Sequence, residues 1–408
     1  MGTSRIASYD RRFVALIGVL FLLFITVPLY RWFWPVVPRD ATYSFIPWYQ
    51  HIVAVGRLRA FSSPFGDYSP PYLYLMALAT LLNGWMKPLL ALKLLSLVIV
   101  GLMGGAFYKL LRAARQPIGA AVGAAVMLFA VPSVIMNAVL LGQCDALSVA
   151  PCLLAVAAVV RRKPVLMLVW CGVAVAVKLQ SIFIAPFALG ALLSMNWRWW
   201  HFGVPALAYL GCVAPCLVMG WPLSDLLVIY FRQTQNFGIQ MNFNAPNLWL
   251  PPVYFNWVNP PLDFRIAEGL AVVVGMMIVW KTYAARAAPV DVIALALVSA
   301  IAIPYVLPAV HERYFFLADI LALGLLAVDR NMRSLAIALL VQIGSVCAIF
   351  SYVTGEATWA LRANGQMSFA LADPHNMKFG LTGFAAMTLG FALTIWRCAA
   401  VPNRRGVT

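Results

Sequence analysis

Acidic residues are scarce in this chain: 13 Asp and Glu in 408 residues, against 29 Lys and Arg. They form neither an HExxH nor a DxD pattern, and no glycine-rich phosphate loop accompanies them, which argues against a soluble nucleotide or ATP site. The seven cysteines (Cys144, Cys152, Cys171, Cys212, Cys216, Cys347 and Cys398) include no CxxC pair and lie in or beside apolar runs. No disulfide or metal framework is implied; Cys212 and Cys216 share a helix face, which in an apolar helix means packing. The net charge of +16 is spread over short loops, with no soluble basic domain to present a nucleic-acid surface.

What the chain has in abundance is apolar length. Hydrophobic residues make up 63% of it and its mean hydropathy is +0.87. Apolar runs recur roughly every 20 to 30 residues, the length of a membrane-crossing helix, and are too long and continuous for barrel strands. The expected fold is all-α: a polytopic transmembrane helical bundle, one integral membrane domain over residues 1–408. Roughly 12 spans are placed near 13–30, 89–110, 118–135, 146–160, 164–179, 181–195, 201–219, 266–281, 290–307, 315–328, 334–352 and 379–396. The first run lacks a convincing small-residue cleavage site and is long enough to stay as a span. With these spans the basic loops all fall on one side, the cytoplasmic side. They are Arg5/Arg11/Arg12, Lys109/Arg112/Arg115, Arg161/Arg162/Lys163, Arg198, Lys281/Arg286, Arg330/Arg333 and Arg397/Arg404/Arg405.

Pro70 to Trp85 is apolar too, but counting it as a span inverts everything downstream. It is placed as an interfacial or re-entrant helix, with Tyr68, Tyr72, Tyr74 and Trp85 suited to that position; a full extra span is the alternative. Residues 31–88 then form a first outer loop, 220–265 a second and 354–378 a shorter third. Only Asp10, Asp291 and Asp329 fall clearly on the inner side. Asp40, Asp67, Asp145 and Glu312 reach the outer face, where ionisable groups beside apolar spans are costly and usually functional.

Each of the four sits in a polar motif with a structural alternative. Asp40, in Arg39-Asp40 with Trp48 beyond, can accept a proton from a hydroxyl, or cap a helix and pair with Arg39. Gly66-Asp67-Tyr68-Ser69-Pro70 reads equally as a helix start. Gly142-Gln143-Cys144-Asp145 offers donors and acceptors for hydroxyl groups, or a capped start at Asp145. Lys178 and Gln180 interrupt an apolar run, where the ammonium can meet an anionic headgroup or snorkel to the interface. His311-Glu312-Arg313-Tyr314 is the densest cluster, and the planar fork of Arg313 suits phosphate oxygens; an ion pair alone is the alternative. Asn247-Leu248-Trp249 adds an amide and an aromatic.

Taken in order, these motifs resemble those of the lipid-linked-sugar glycosyltransferases of the GT-C superfamily. The nearest patterns are the dolichyl-phosphate-glucose-dependent glucosyltransferases and the polyprenyl-phosphate mannosyltransferases of bacteria. Asp40 with Trp48 is similar to the acidic residue and Trp of that family's first outer loop. Asp67-Tyr68-Ser69-Pro70-Pro71-Tyr72-Leu73 is similar to its Asp-Tyr-Pro-Pro-Leu element, one residue longer before the prolines. Val177-Lys178-Leu179-Gln180 matches a Phe-Lys-Gln-like element with an insertion, Asn247-Leu248-Trp249 an Asn-Phe-Trp-like one, and His311-Glu312-Arg313 a His-Glu-Lys-like one. Gly142-Gln143-Cys144-Asp145 meets the family's His-Phe-Gln-Tyr-Asn only loosely.

The resemblance implies transfer of a hexose, glucose or mannose, from a polyprenyl-phosphate sugar to a glycan or glycolipid acceptor, with inversion. It places the site at the periplasmic face of a bacterial inner membrane, among membrane lipids, with neither cofactor nor metal and no nucleic-acid partner. Asp40 is then the general base and Lys178 and Arg313 hold the donor phosphate. The remaining substrate-binding set is Arg39, Asp67, Tyr68, Gln143, Asp145, Gln180, Asn247, Trp249, His311 and Glu312. Within it, Asp67 and Asp145 position or cap, and Glu312 orients His311 and Arg313. The alternatives are a transporter or flippase of lipid-linked sugars, which needs polar residues through mid-membrane, and a glycan polymerase or ligase.

Overall fold

The computed structural model describes residues 24–236, 240–361 and 374–403. The basic amino terminus with Asp10, the first half of the first expected span, the centre of the 354–378 segment, and Arg404 and Arg405 lie outside the described residues. After a helical stretch over 24–33 come α1 (Ile46–Val55), α2 (Pro70–Ala79) and α3 (Pro88–Ala113). Next are α4 (Ile118–Met127), α5 (Pro132–Ile135), α6 (Asp145–Val160), α7 (Pro164–Val177), α8 (Ala185–Leu193), α9 (Val204–Met219) and α10 (Leu223–Asn236). The chain ends with α11 (Leu250–Tyr254), α12 (Pro260–Ala284), α13 (Pro289–Val306), α14 (Phe316–Asp329), α15 (Met332–Leu361) and α16 (Pro374–Ala399). The two short strands β1 (Asn242–Phe243) and β2 (Val310–His311) pair in parallel. Proline at the first or second position opens many of these helices, where its fixed φ fits and its missing N–H is no loss.

The bundle is all-α as expected, but its helices are of two kinds. Among the described residues five are long and apolar enough to cross a bilayer, within Pro88–Ala113, Trp199–Met219, Pro289–Val306, Met332–Gly355 and Asn376–Ala399. A sixth arises if the pair Ile118–Ala130 and Pro132–Leu140, bent by 53°, counts as one span. The expected spans near 146–160, 164–179 and 181–195 fall on shorter apolar helices; α6 has 16 residues and α7 has 14, about 21 to 24 Å at 1.5 Å per residue. Such helices survive in a membrane protein because other helices, not lipid, surround their ends.

Hydropathy alone does not separate lipid-facing from protein-facing helices. α13 buries every residue from Asp291 to Val306 except Val298, whereas α9 and α12 expose Leu207, Val218, Val272, Met276 and Met277. The 70–82 segment is likewise short, about 20 Å. Its two faces differ: Tyr72, Leu73 and Met76 are fully buried, while Leu78, Leu81 and, beyond it, Trp85 are largely exposed.

α3 packs on α6, α6 on α7, α7 on α9, and α15 on α16. The expected inner loops meet one another: Arg397 bridges Asp291 at 3.0 Å and Asp329 at 3.3 Å, Lys281 donates to the Val401 carbonyl at 3.0 Å, and Arg330 donates to Gln116 Oε1 at 2.7 Å. Two groups depart from the expected placement of charge. Asp319 lies inside α14 and is 1% exposed, so it belongs to neither aqueous face. Lys93 lies inside α3, fully buried, and its three ammonium protons go to the carbonyls of Phe33 (2.8 Å), Trp34 (2.9 Å) and Val36 (2.7 Å). These carbonyls lie at and just beyond the end of the 24–33 helix, where the helical ladder stops supplying donors.

Contact between α7 and α9 depends on Gly172, where a Cβ would stand 2.3 Å from the Pro205 carbonyl oxygen. Small residues at such crossings let backbones approach when lipid supplies no hydrophobic drive. Gly172→Ala is expected to lower stability by about 1–3 kcal/mol through overpacking, read as a fall in thermal midpoint in detergent. Gly123→Ala, with nothing within 4 Å of the new methyl group, should leave that midpoint unchanged or raised.

Candidate active site

Three breaks in regular helix bring the polar motifs together. Arg39-Asp40 opens a π-helical turn, Ala41–Phe45, that runs into α1. Before α6 the chain makes a second π turn, Met136–Leu140, and then turns through Gly142 at φ +62°. Between α7 and a 3-10 turn (Leu179–Ile184), Lys178 is extended at φ −152° and ψ 136°. Single π turns are often found at functional sites. The loop from α13 to α14 supplies the fourth side, His311 to Tyr314.

Asp145 stands at the centre and is fully buried. Its Oδ1 accepts from Lys178 Nζ at 2.5 Å and Gln180 Nε2 at 2.7 Å, its Oδ2 from Asn137 Nδ2 at 2.7 Å, and Arg313 Nε lies 3.8 Å from Oδ2. Lys178 also sits 4.8 Å from the centre of the Tyr68 ring. The ammonium therefore does not snorkel outward; it is held inside by a carboxylate and an aromatic face.

Asp40 is the exposed carboxylate of the group. It stands at the amino cap of its π turn but makes no capping bond. Instead Oδ2 accepts from Gln143 Nε2 at 2.5 Å and lies 3.2 Å from Arg313 Nη2. Tyr68 donates to Gln143 Oε1 at 3.3 Å, so the first outer loop, the 142–145 turn and Arg313 close on one point. The side chain of Asp40 is 31% exposed, against 0% for Asp145 and Glu312. Arg313 Nη1 donates to Glu312 Oε1 at 2.7 Å, while its Nε–H completes no hydrogen bond. His311 stacks on Phe243 at 4.5 Å, and its Nδ1 lies 3.8 Å from Glu312 Oε2.

The remaining residues singled out from sequence lie apart. Arg39 is exposed, with its guanidinium 6.0 Å from the Tyr43 ring. Asp67 is exposed and its carbonyl accepts from Gln233. Gly66 before it, at φ +72°, would place a Cβ 2.7 Å from Trp48, so the turn that sets Tyr68 admits no side chain there. Asn247 and Trp249 latch the second outer loop to the end of α13. Asn247 Nδ2 donates to the carbonyls of Pro304 (3.2 Å) and Leu307 (3.1 Å), and Trp249 Nε1 to that of Val306 (2.8 Å). Pro308 has no N–H to close the helical bond to Pro304, so the amide takes its place. Asn137, absent from the sequence reading, is a full member of the site; its one signal was an amide inside the apolar run Val134-Ile135-Met136-Asn137-Ala138-Val139.

Charge is nearly balanced among buried groups, with Asp40, Asp145 and Glu312 facing Lys178 and Arg313. Burial works to raise the Glu312 carboxyl, but Arg313 and then His311 outweigh it and hold the carboxyl below its ordinary range. Burial pushes the Cys144 thiol up to about 12, which leaves it without nucleophilic thiolate. Burial likewise keeps the proton on Tyr68, above the usual phenol range. A folded-state value below the unfolded one means that Glu312 contributes stability above the ordinary value of 4.5 and loses it as pH falls through the depressed one. The thermal midpoint of the wild type should therefore drop on acidification below 4.5, and Glu312→Gln should flatten that acid limb; an unchanged limb would exclude this residue as its source.

No curated protein matches the chain. Among solved structures it is similar to ArnT from Cupriavidus metallidurans bound to undecaprenyl phosphate, at 15% identity and a TM-score of 0.46, covering 93% of this chain and 78% of that one. It is similar to the apo state of the same protein at 14% identity and a TM-score of 0.49, covering 94% and 77%. The family model for Glycosyltransferase family 87 matches residues 67–308, more than half of the chain and including Tyr68, Gln143, Asp145, Lys178 and Gln180. The chain belongs to glycosyltransferase family 87, and its described residues form an all-α bundle with helices long and apolar enough to cross a membrane.

Proposed function

We propose that the chain transfers a hexose, glucose or mannose, from a polyprenyl-phosphate sugar to a lipid-linked or envelope glycan at the outer face of a bacterial inner membrane. The observation that carries this reading is the division of the site's carboxylates. Asp145 and Glu312 are buried and occupied by cations and amides, while Asp40 is reachable and bordered by a guanidinium. Asp40 takes the proton of the acceptor hydroxyl as that oxygen attacks the anomeric carbon from the face opposite the phosphate. The bond from the anomeric carbon to the phosphate oxygen breaks, the configuration inverts, and the polyprenyl phosphate leaves with the bonding electron pair. Arg313, through its uncommitted Nε–H, and Lys178 stabilise the charge that grows on the leaving phosphate. That the solved structure of ArnT holds undecaprenyl phosphate is a property of that protein; the donor proposed for this chain rests on Lys178 and Arg313.

A transporter of lipid-linked sugars would use polar groups along a path through the bundle. Two charged groups placed deep within helices, Lys93 and Asp319, are sealed, at 0% and 1% exposure. A panel of radiolabelled polyprenyl-phosphate sugars, offered to the purified chain with glycolipid acceptors, tests the proposal. Asp40→Ala is expected to lower transfer by about 10²–10⁴-fold with the thermal midpoint retained. Turnover near wild type in that variant rejects Asp40 as base, and lipid-linked sugar crossing vesicles without donor consumption establishes the transporter. Lys178→Gln should chiefly weaken donor binding, seen as a raised KM for the donor with that for the acceptor unchanged.

A further inference from the structure

Asp319 is a buried acid that this mechanism does not use. It lies one turn into α14, 1% exposed, and among the described residues no salt bridge reaches it. An acid inside a membrane helix without a counter-charge is costly and persists where it serves a purpose. Its hydrogen-bond partner comes from another helix. Ser345 of α15 donates to Asp319 Oδ1 at 2.8 Å, while Asp319 Oδ2 and Ser133 Oγ are buried without a hydrogen-bond partner among the described residues. Gln342, one turn before Ser345 on α15, accepts the Ser133 backbone N–H at 3.4 Å, and its Nε2 also has no partner.

Ser133 is the second residue after the break at Val131, where the chain bends by 53°. Its N–H is one of the donors that a helix start leaves unmet, and α15 meets it with a side chain. One helical turn further, at the i+4 position, stands Asn137, whose amide donates to Asp145 Oδ2 at 2.7 Å. The same half-helix thus has one end in a sealed polar group and the other against the central carboxylate of the site.

We propose that Asp319 is a positioning residue. It fixes Ser345 on α15, whose Gln342 one turn earlier holds the half-helix Pro132–Leu140 at the Ser133 N–H, and so sets the Asn137 amide against Asp145. The link to transfer rests on the function proposed above; the lock itself does not. Removing a partner from a buried hydrogen-bonded group costs about 1–3 kcal/mol, so local opening should rise about tenfold.

Amide hydrogen exchange on the full chain in lipid nanodiscs reads this at 132–140, with α12 as internal control. Asp319→Leu should speed exchange at 132–140 about tenfold and leave α12 unchanged, Ser345→Ala should do so to a smaller extent, and Asp319→Asn, which keeps the shape and hydrogen-bonding capacity, should stay near wild type. If Asp319→Leu does not fold, Ser345→Ala carries the same comparison. Exchange at wild-type rates in the variants, or Asp319→Asn as fast as Asp319→Leu, overturns the lock. For the link to the site, binding of undecaprenyl phosphate should weaken in Asp319→Leu and in Asn137→Ala, and the double variant should be no weaker than the worse single one. Fully additive losses overturn the link, whereas a wild type that binds no undecaprenyl phosphate, with the exchange pattern intact, rejects the proposed donor and leaves the lock standing.

Discussion

A single buried carboxylate organises this protein. Asp145 sits where water cannot solvate it, and an isolated charge there would cost several kcal/mol. The chain answers with Lys178, Gln180 and Asn137 in direct contact and Arg313 just beyond. Each of these donors lies at an irregular place: a π turn, an extended residue between two helices, or an interhelical loop. Regular helices need no help to satisfy their backbones in lipid, but broken ones do. The breaks are therefore gathered around the group that can use them, and the long helices of the bundle shield them from the bilayer.

The same electrostatics separates three carboxylates that look alike on paper. Glu312 is enclosed beside Arg313 and His311, and its charge serves to fix the guanidinium. Asp145 is saturated with donors. Asp40 alone keeps an open side, yet it shares Arg313 with both of the others. An anion approaching Arg313 would compete with Asp40 for it, so the surroundings of all three carboxylates are coupled through one side chain.

Much of this was legible in the sequence because charge is so rare in it. A lysine, an arginine or an acid beside an apolar run stands out, and Asp40, Gln143, Asp145, Lys178, Gln180, Glu312 and Arg313 all meet in space. The capping alternative for Asp40 was open on sequence and is settled by the geometry, since its carboxylate bonds to Gln143 and not to its own turn. What stayed hidden has physical reasons. An amide serves a ligand and a helix end with the same atoms, so Asn247 and Asn137 could not be told apart before their partners were known. Apolar runs have the same composition whether lipid or protein surrounds them, so hydropathy does not show that α13 is almost wholly enclosed while α9 and α12 are not. Asp319 went unnoticed because nothing local to it shows that Ser345, from another helix, meets it.

Lys93 adds an order in time. The carbonyls it holds, at Phe33, Trp34 and Val36, precede it by 57 to 60 residues and lead directly into Asp40. During synthesis the segment that carries Asp40 therefore leaves the ribosome well before its anchor exists. Until α3 has entered the membrane, the end of the 24–33 helix lacks these donors and the approach to Asp40 has nothing to fix it. The candidate site acquires this wall only when a later helix arrives, so a truncated or stalled chain would carry Asp40 without its setting.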